Sequence, residues 1–273
     1  MPIWKNRRLE VQMNRRTFLK AVPALTVLAA TASGLTEVTA AETSSTKDAN
    51  TMTKPTQDAN KTPSPTIQNL QPIVLVKPQT DGGKSVLAAL WERKTIRNIS
   101  DQKLGPQMLS NLLWAAFGIN RDNGPSGRLG RTAASASNSQ EIDIYAALPE
   151  GIYLYEAAGH RLTPVAEGDK RAMAGGRGRG GAGARAPVNL IYVVDIAKYS
   201  AAPFQEPGLR DTEIQKSYYF TDTGLIAGNV YLFAASQGLA AWFHNCNKTS
   251  LAAELKLRPE QRVLFAQTVG FPA

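Results

Sequence analysis

The stretch Val188 to Asp195, reading Val-Asn-Leu-Ile-Tyr-Val-Val-Asp, is almost continuously apolar and rich in β-branched side chains. A strand with one wet face alternates apolar and polar residues, whereas a strand without alternation is covered on both faces. The rest of the chain therefore has to supply that cover. A helix is expected from the spacing of Val86, Leu87, Leu90 and Trp91, ending at the cationic cluster Arg93 to Arg97. A second begins at Pro106 and carries Met108, Leu109, Leu112, Leu113, Ala116 and Phe117, with Gly118 as its C-cap. The strand Ile142 to Leu148, the turn Pro149-Glu150-Gly151 and the run Ile152 to Tyr155 form a hairpin, followed by a second turn at Ala158-Gly159. Tyr218 to Gln237 is the longest helical signal. Its Gly224, Gly228 and alanines permit close approach of another helix, which places it centrally or at a subunit interface. Leu251, Leu255 and Leu257 suggest a short helix, and Arg262 to Gly270 a final strand. Interspersed strands and helices with an early hairpin indicate an α+β sheet covered by helices.

That domain does not need all 273 residues. Residues 1–40 hold six Lys/Arg against Glu10 and Glu37, so they carry four of the nine net positive charges. Asn14-Arg15-Arg16-Thr17-Phe18-Leu19-Lys20, followed by the mildly apolar run Ala21 to Ala30, has the layout of an export signal, and Val38-Thr39-Ala40 offers small residues for cleavage. It resembles a twin-arginine signal, which implies a twin-arginine translocase as partner and an exported, periplasmic or extracytoplasmic location. An uncleaved amphipathic anchor is the alternative. Residues 41–80 are rich in Thr, Ser, Lys, Asn, Pro and Gln and read as a disordered linker. Within it, Ile73 to Val76 is a short apolar run suited to a strand or an arm laid on the domain. The folded domain is expected over residues 81–273.

The residual charge does not argue for nucleic acid as a partner. Ala174 to Arg185 is an Arg/Gly run read as a mobile surface loop. The single cysteine, Cys246, forms no intrachain disulfide, and with only His160 and His244 beside it no His/Cys metal site is expected. No Gly-x-Ser-x-Gly elbow supports a nucleophilic triad, and the Gly-rich run lacks the Gly-Lys-Ser/Thr ending of a phosphate loop.

Two stretches are left to carry chemistry. Arg131-Thr132-Ala133-Ala134-Ser135-Ala136-Ser137-Asn138-Ser139-Gln140 is a run of small polar and methyl side chains that lets a backbone approach a ligand closely, and is otherwise an ordinary loop before a strand. Arg93-Lys94-Thr95-Ile96-Arg97 gathers three cations and a hydroxyl. A bound flavin needs donors for its phosphate, a cation near its N1 and O2 edge, and groups along the pyrimidine rim. Arg93, Lys94, Thr95 and Arg97 have the types for the first two, and Ser135 and Asn138 for the third.

Together these stretches resemble the two FMN-contacting motifs of the nitroreductase-like flavoprotein family, Arg-x-Ser/Thr-x-Arg and Pro-Ser-x-x-Asn-x-Gln, with Ala134 where the family usually has proline. The resemblance runs over residues 84–272 and includes Leu112 to Asn120, Asn229 to Leu239 and the closing Thr268-Val269-Gly270-Phe271-Pro272. It implies a mostly antiparallel central sheet flanked by helices, with FMN held non-covalently at the interface of a homodimer. It also implies an oxidoreductase whose chemistry is carried by the flavin and whose substrate is a small molecule. The cofactor-binding residues it implies are Arg93, Lys94, Thr95, Arg97, Ser135, Ala136, Asn138 and Gln140. His244 or Asn245 lies where relatives approach the flavin N5. The basic tail by which many relatives grip the phosphate has no counterpart before Ala273, so Arg93 and Arg97 are expected to carry more of that load. A flavin-binding protein without turnover on the same scaffold is the competing expectation.

Overall fold

Val188–Asp195 is an interior strand of a seven-stranded sheet, and all eight of its residues are buried. The computed structural model describes residues 70–175 and 182–273. The export-signal reading, the linker up to residue 69 and residues 176–181 of the Arg/Gly run lie outside them. In chain order the strands are β1 (Ile73–Val74), β2 (Ile119–Arg121), β3 (Gly130–Arg131), β4 (Ile142–Ala147), β5 (Gly151–Glu156), β6 (Arg161–Glu167), β7 (Val188–Asp195), β8 (Ala240–His244) and β9 (Gln261–Gly270). The helices are α1 (Val86–Glu92), α2 (Pro106–Phe117), α3 (Arg171–Ala174), α4 (Ala182–Arg185), α5 (Thr212–Ser236) and α6 (Lys248–Glu254).

The main sheet runs β1-β6-β5-β4-β7-β9-β8, every neighbouring pair antiparallel, while β2 and β3 form a separate ribbon. The lack of alternation in β7 has a direct cause. Leu190, Tyr192 and Val194 face one layer, where Leu112 and Leu113 of α2 and Ile226 and Val230 of α5 pack on them. Ile191 and Val193 point to the other face and meet Leu251 and Leu255 from α6 and its C-cap. Each such side chain, fully buried, stabilises the fold by about 1.5–3 kcal/mol relative to exposure. The helix of the Gly/Ala-rich segment begins six residues before Tyr218, at Thr212, because Asp211 caps it by accepting from the backbone N–H groups of Glu213 (2.8 Å) and Ile214 (3.1 Å).

Two features depart from simple periodicity. In α1 only Ala89 is buried, while Val86, Leu87, Leu90 and Trp91 are exposed, Trp91 at 90%. The apolar stripe that marks this helix thus faces away from the core. On α5, Phe220, Gly224 and Gly228 recur at four-residue spacing on one flank; Phe220 is partly exposed, and nothing lies within 4 Å of where a Cβ on either glycine would be. The close helix approach that these glycines permit is not used within this protomer. Ile73 and Val74 extend the sheet at its edge by pairing with Leu162 and Arg161.

Candidate functional site

The cationic stretch sits where α1 ends. Ser85 caps the helix by accepting from Ala88 N–H, and Arg93 closes it through its own N–H to the Ala89 carbonyl at 2.8 Å. Beyond Arg93 the chain runs beside β8, with Ile96 N–H donating to the Ala241 carbonyl at 3.1 Å. Tyr231 of α5 is the post that both segments share: its hydroxyl accepts from Phe243 N–H at 2.8 Å and meets Thr95 Oγ1 at 3.1 Å. The Arg93 guanidinium lies 5.6 Å from the centroid of the Tyr231 ring, and that of Arg97 lies 5.7 Å from the Trp242 ring. Stacking of this kind orients a guanidinium without consuming its N–H donors. Arg93, Lys94 and Arg97 are exposed, and among the described residues none forms an ion pair with a carboxylate. Two oriented guanidiniums and the exposed Lys94 have the chemistry to receive an anion, and beside them a cavity of about 350 Å³ is lined by Trp91, Glu92, Lys94, Ile96, Ala235, Gly238 and Leu239, the Glu92 carboxylate being paired with Lys84.

The loop Ser135 to Gln140 is built differently. Ser137, Asn138 and Gln140 have φ of 51°, 53° and 53°, in the left-handed region that costs a residue with a side chain of order 1–3 kcal/mol. Local bonds hold this shape. Asn138 N–H donates to the Ser135 carbonyl (3.0 Å), Gln140 N–H to Ser135 Oγ (3.0 Å), and Arg128 to the Asn138 carbonyl (3.0 Å). The Gln140 side chain is occupied at both ends, since Oε1 accepts from Arg131 Nε (2.8 Å) while Nε2 donates to the Leu129 carbonyl (2.8 Å) and to Asn138 Oδ1 (3.0 Å). Gln140 thereby orients Asn138. Asn138 Nδ2 is a buried donor without a partner among the described residues. An orphaned donor in a preformed loop fits a ligand carbonyl, such as those on the rim of a flavin pyrimidine. Ser135 accepts with its Oγ and keeps its own proton to donate, and Ala136 turns its N–H away from the loop, toward Asp222 Oδ2 at 2.8 Å.

Behind the loop lie two carboxyl groups that sequence reasoning missed, Glu141 and Asp222. Burial, reinforced by the neighbouring Asp222, pushes the Glu141 carboxyl up to about 8. Burial also raises Asp222, against the pull of the Ala136 N–H. A readable signal existed for one of them: Asp222 falls at helical spacing with the buried Tyr219, Ile226 and Val230, inside a core stripe where a charge is unusual. His244, which the sequence leaves, with Asn245, between facing the flavin and a structural role, is buried with both ring nitrogens engaged, one by the Asn245 carbonyl (2.9 Å) and one by Thr268 Oγ1 (2.7 Å).

The two stretches are not adjacent within the protomer. The loop meets α5 through Asp222, and the Arg93–Arg97 segment meets it through Tyr231, nine residues on. On an α-helix that separation is about 14 Å along the axis and half a turn around it. Asn229, which donates to the Thr132 carbonyl at 3.1 Å, returns to the Asp222 face, so loop and cationic segment occupy opposite sides of α5.

A family model described as the nitroreductase family matches residues 90–271. No curated protein matches the chain. Among solved structures, one from Ralstonia eutropha JMP134, provisionally assigned as a nitroreductase, is 31% identical, with a TM-score of 0.64 over 76% of this chain and 91% of that one. A structure from Anabaena variabilis with the same provisional assignment is 17% identical, covers 69% of this chain and 38% of its own, and has a TM-score of 0.54. A chain of the E. coli microcin synthetase complex McbBCD is 18% identical with a TM-score of 0.52, covering 76% and 79%. The last two share the fold alone. With its mostly antiparallel sheet between helical layers, and with a family match over two thirds of its length, the chain belongs to the nitroreductase family.

Proposed function

We propose that this protein is an exported, FMN-dependent oxidoreductase that works as a homodimer on a small-molecule substrate. Family membership supports oxidoreduction. The observation that carries the cofactor and the dimer together is the placement of the two stretches on opposite faces of α5, each with unspent donors. Two copies related by a twofold axis bring the Arg93–Arg97 segment of one protomer to the loop of the other. Arg93, Lys94, Thr95 and Arg97 then hold the phosphate and the N1 edge, while Ser135 and Asn138, with Ala136 and Gln140 shaping their loop, hold the pyrimidine rim. The exposed face of α1 and the open Phe220-Gly224-Gly228 flank of α5 supply apolar surface for such an interface. FMN, when bound, passes electrons between a donor and an acceptor; the chain's residues bind and orient it. The twin-arginine-like segment at residues 14–20 supports export in the folded, cofactor-loaded state. Purified residues 41–273 are expected to be yellow and dimeric, with the absorption of oxidised flavin. A colourless protein that takes up no FMN on reconstitution refutes the reading.

A second reading, a flavin-binding protein without turnover, is favoured by one observation. The Phe243 amide, in the segment where relatives approach the flavin N5, is already bonded to Tyr231. Chemical reduction of the bound flavin followed by reoxidation with quinones or nitroaromatics separates the two, because only the enzyme reoxidises with turnover.

A further inference from the structure

Glu141 leaves the candidate flavin loop as a fully buried side chain, and Asp222, 5% exposed, reaches it from the middle of α5. Both are tied to the same short loop, Asp222 through the Ala136 N–H and Glu141 through the Ser139 hydroxyl, which itself lies 2.8 Å from the Ala136 carbonyl, and the charge of the neighbouring Asp222 helps to raise Glu141. Two adjacent carboxylates cannot both stay ionised in such a place, because each loses its hydration and repels the other. Resting on the reading of residues 135–140 as the flavin-rim loop, we propose that Glu141 and Asp222 share one proton and act as a positioning pair, the shared proton holding that loop in its binding shape.

The bonding pattern distributes the roles. Asp222 Oδ2 accepts the Ala136 N–H at 2.8 Å, which favours the charge on Asp222. Glu141 Oε2 and Ser139 Oγ are 2.6 Å apart, the same hydroxyl lying 2.8 Å from the Ala136 carbonyl, while Glu141 Oε1 is buried without a hydrogen-bond partner among the described residues. An oxygen so placed against a carboxylate is satisfied when it carries a proton and donates it. Among the described residues no cation neutralises the pair. Arg128 is spent on the carbonyls of Asn138, Ser139 and Ala201, and Lys198 on Asp143 and the Gln140 carbonyl. Arg131 is spent on Gln140 and the Phe117 carbonyl. The remaining titratable group facing the pair is Tyr199, from the turn Ile196–Ala201, with Tyr219 of α5 behind it; burial keeps the Tyr199 hydroxyl protonated and neutral.

Loss of the shared proton therefore sets two negative charges against each other in the core. The carboxyls separate, and each is tied to the loop, Asp222 through Ala136 and Glu141 through Ser139. Three left-handed residues in this loop persist only while such bonds over-determine them, so the loop relaxes and its hold on a ligand weakens.

The test compares the wild-type chain with Glu141→Gln, which preserves size and donates an N–H to Asp222 but cannot ionise, at roughly pH 7 and pH 9.5. Infrared spectroscopy reads the C=O stretch of a protonated carboxyl, amide hydrogen exchange corrected for its intrinsic pH dependence reads residues 134–141, and titration reads FMN affinity. In the wild type, the carboxyl band is expected at the lower pH and lost at the higher, with loop exchange faster and FMN binding weaker by about tenfold. Glu141→Gln is expected to lack the band and to show neither pH effect. Should that variant not fold, Asp222→Asn, which also removes the second charge, is expected to abolish the same response. Absence of the band in the wild type, or equal pH responses in wild type and variant, overturns the proposal. Failure of every protein to bind FMN sinks the flavin reading instead, while the band and the loop exchange still decide the shared proton.

Discussion

Arg131 Nε donates to Gln140 Oε1 at 2.8 Å, and the same guanidinium donates through Nη1 to the Phe117 carbonyl at 2.9 Å while lying 4.8 Å from the centre of the Phe117 ring. One side chain thus spans the end of α2, the ribbon strand β3 and the exit of the loop. Lysine cannot reproduce the planar fork, so Arg131→Lys is expected to destabilise the fold by about 1.5–3 kcal/mol in urea unfolding and to free Gln140 from its orientation. Unfolding midpoints equal to wild type would remove Arg131 from this role.

For the cationic segment, Arg93→Ala is expected to weaken FMN binding by about 1.5–3 kcal/mol through lost charge-assisted bonds to phosphate. Arg97→Ala is expected to lower the flavin reduction potential, because a cation near N1 stabilises the reduced flavin more than the oxidised one. Fluorescence-quenching titration checks the first and spectroelectrochemistry the second. Unchanged affinity in one, or unchanged potential in the other, refutes that assignment.

The open face of α1 gives a test of assembly. Leu87→Asp and Trp91→Asp place a charge on side chains that are 79% and 90% exposed in the protomer, so the folded monomer tolerates either. If this face lies between two copies, light scattering will show monomers and FMN retention will fall with them. A variant that stays dimeric places the interface elsewhere.

Acid stability has a separate source. His160 bonds Ser110 Oγ through Nε2 (2.7 Å) and the Tyr155 hydroxyl through Nδ1 (3.0 Å), joining α2 to the β5–β6 turn, and burial lowers its pKa below 6.5. The unfolded chain then binds a proton that the folded one resists, so this site's stability is fully present above about pH 6.5 and is lost as pH falls through the lowered folded value. Chemical denaturation at roughly pH 5.5 and pH 7 is expected to show a smaller acid loss in His160→Gln than in wild type. Equal losses would exclude His160 as the source.

The proposed export also bears on the electron donor. NAD(P)H is not regenerated outside the cytoplasmic membrane, so the expected reductant is a membrane-associated or protein donor, or else the enzyme oxidises its own substrate. Stopped-flow mixing of FMN-loaded protein with NADH and NADPH should show slow flavin bleaching. Rapid bleaching at micromolar nicotinamide contradicts this while leaving the flavoprotein reading intact.

Much of the fold was legible because its elements are long and strongly patterned. β7 matches the apolar run residue for residue, and α2 runs from Pro106 to the Gly118 cap as its end signals predict. β8 has no strand signature in the sequence, since its five residues carry no alternation and their partners in β9 lie more than twenty residues away. Periodicity in α1 located the helix but not its environment, because an apolar stripe reads the same whether the protomer's own core or another chain covers it. At the site, residue types identified the two stretches. Their positions on opposite sides of α5, and the carboxyl pair behind the loop, depend on contacts such as Ala136 with Asp222, 86 residues apart, which local pattern does not encode.

β9 lies between β7 and β8 and seals a buried contact in which the Tyr192 hydroxyl donates to Gln267 Oε1 at 2.6 Å. During synthesis the growing chain therefore holds β7 with one edge unpaired, eight residues long and almost wholly apolar, until residues 261–270 leave the ribosome. The helical cover of α2 and α5 is already available by then, yet β8 has no neighbour in the sheet to bind. Nascent chains stalled before residue 261 should accordingly be prone to aggregate or to recruit chaperones, and any step that needs the finished sheet, cofactor capture included, waits for β9.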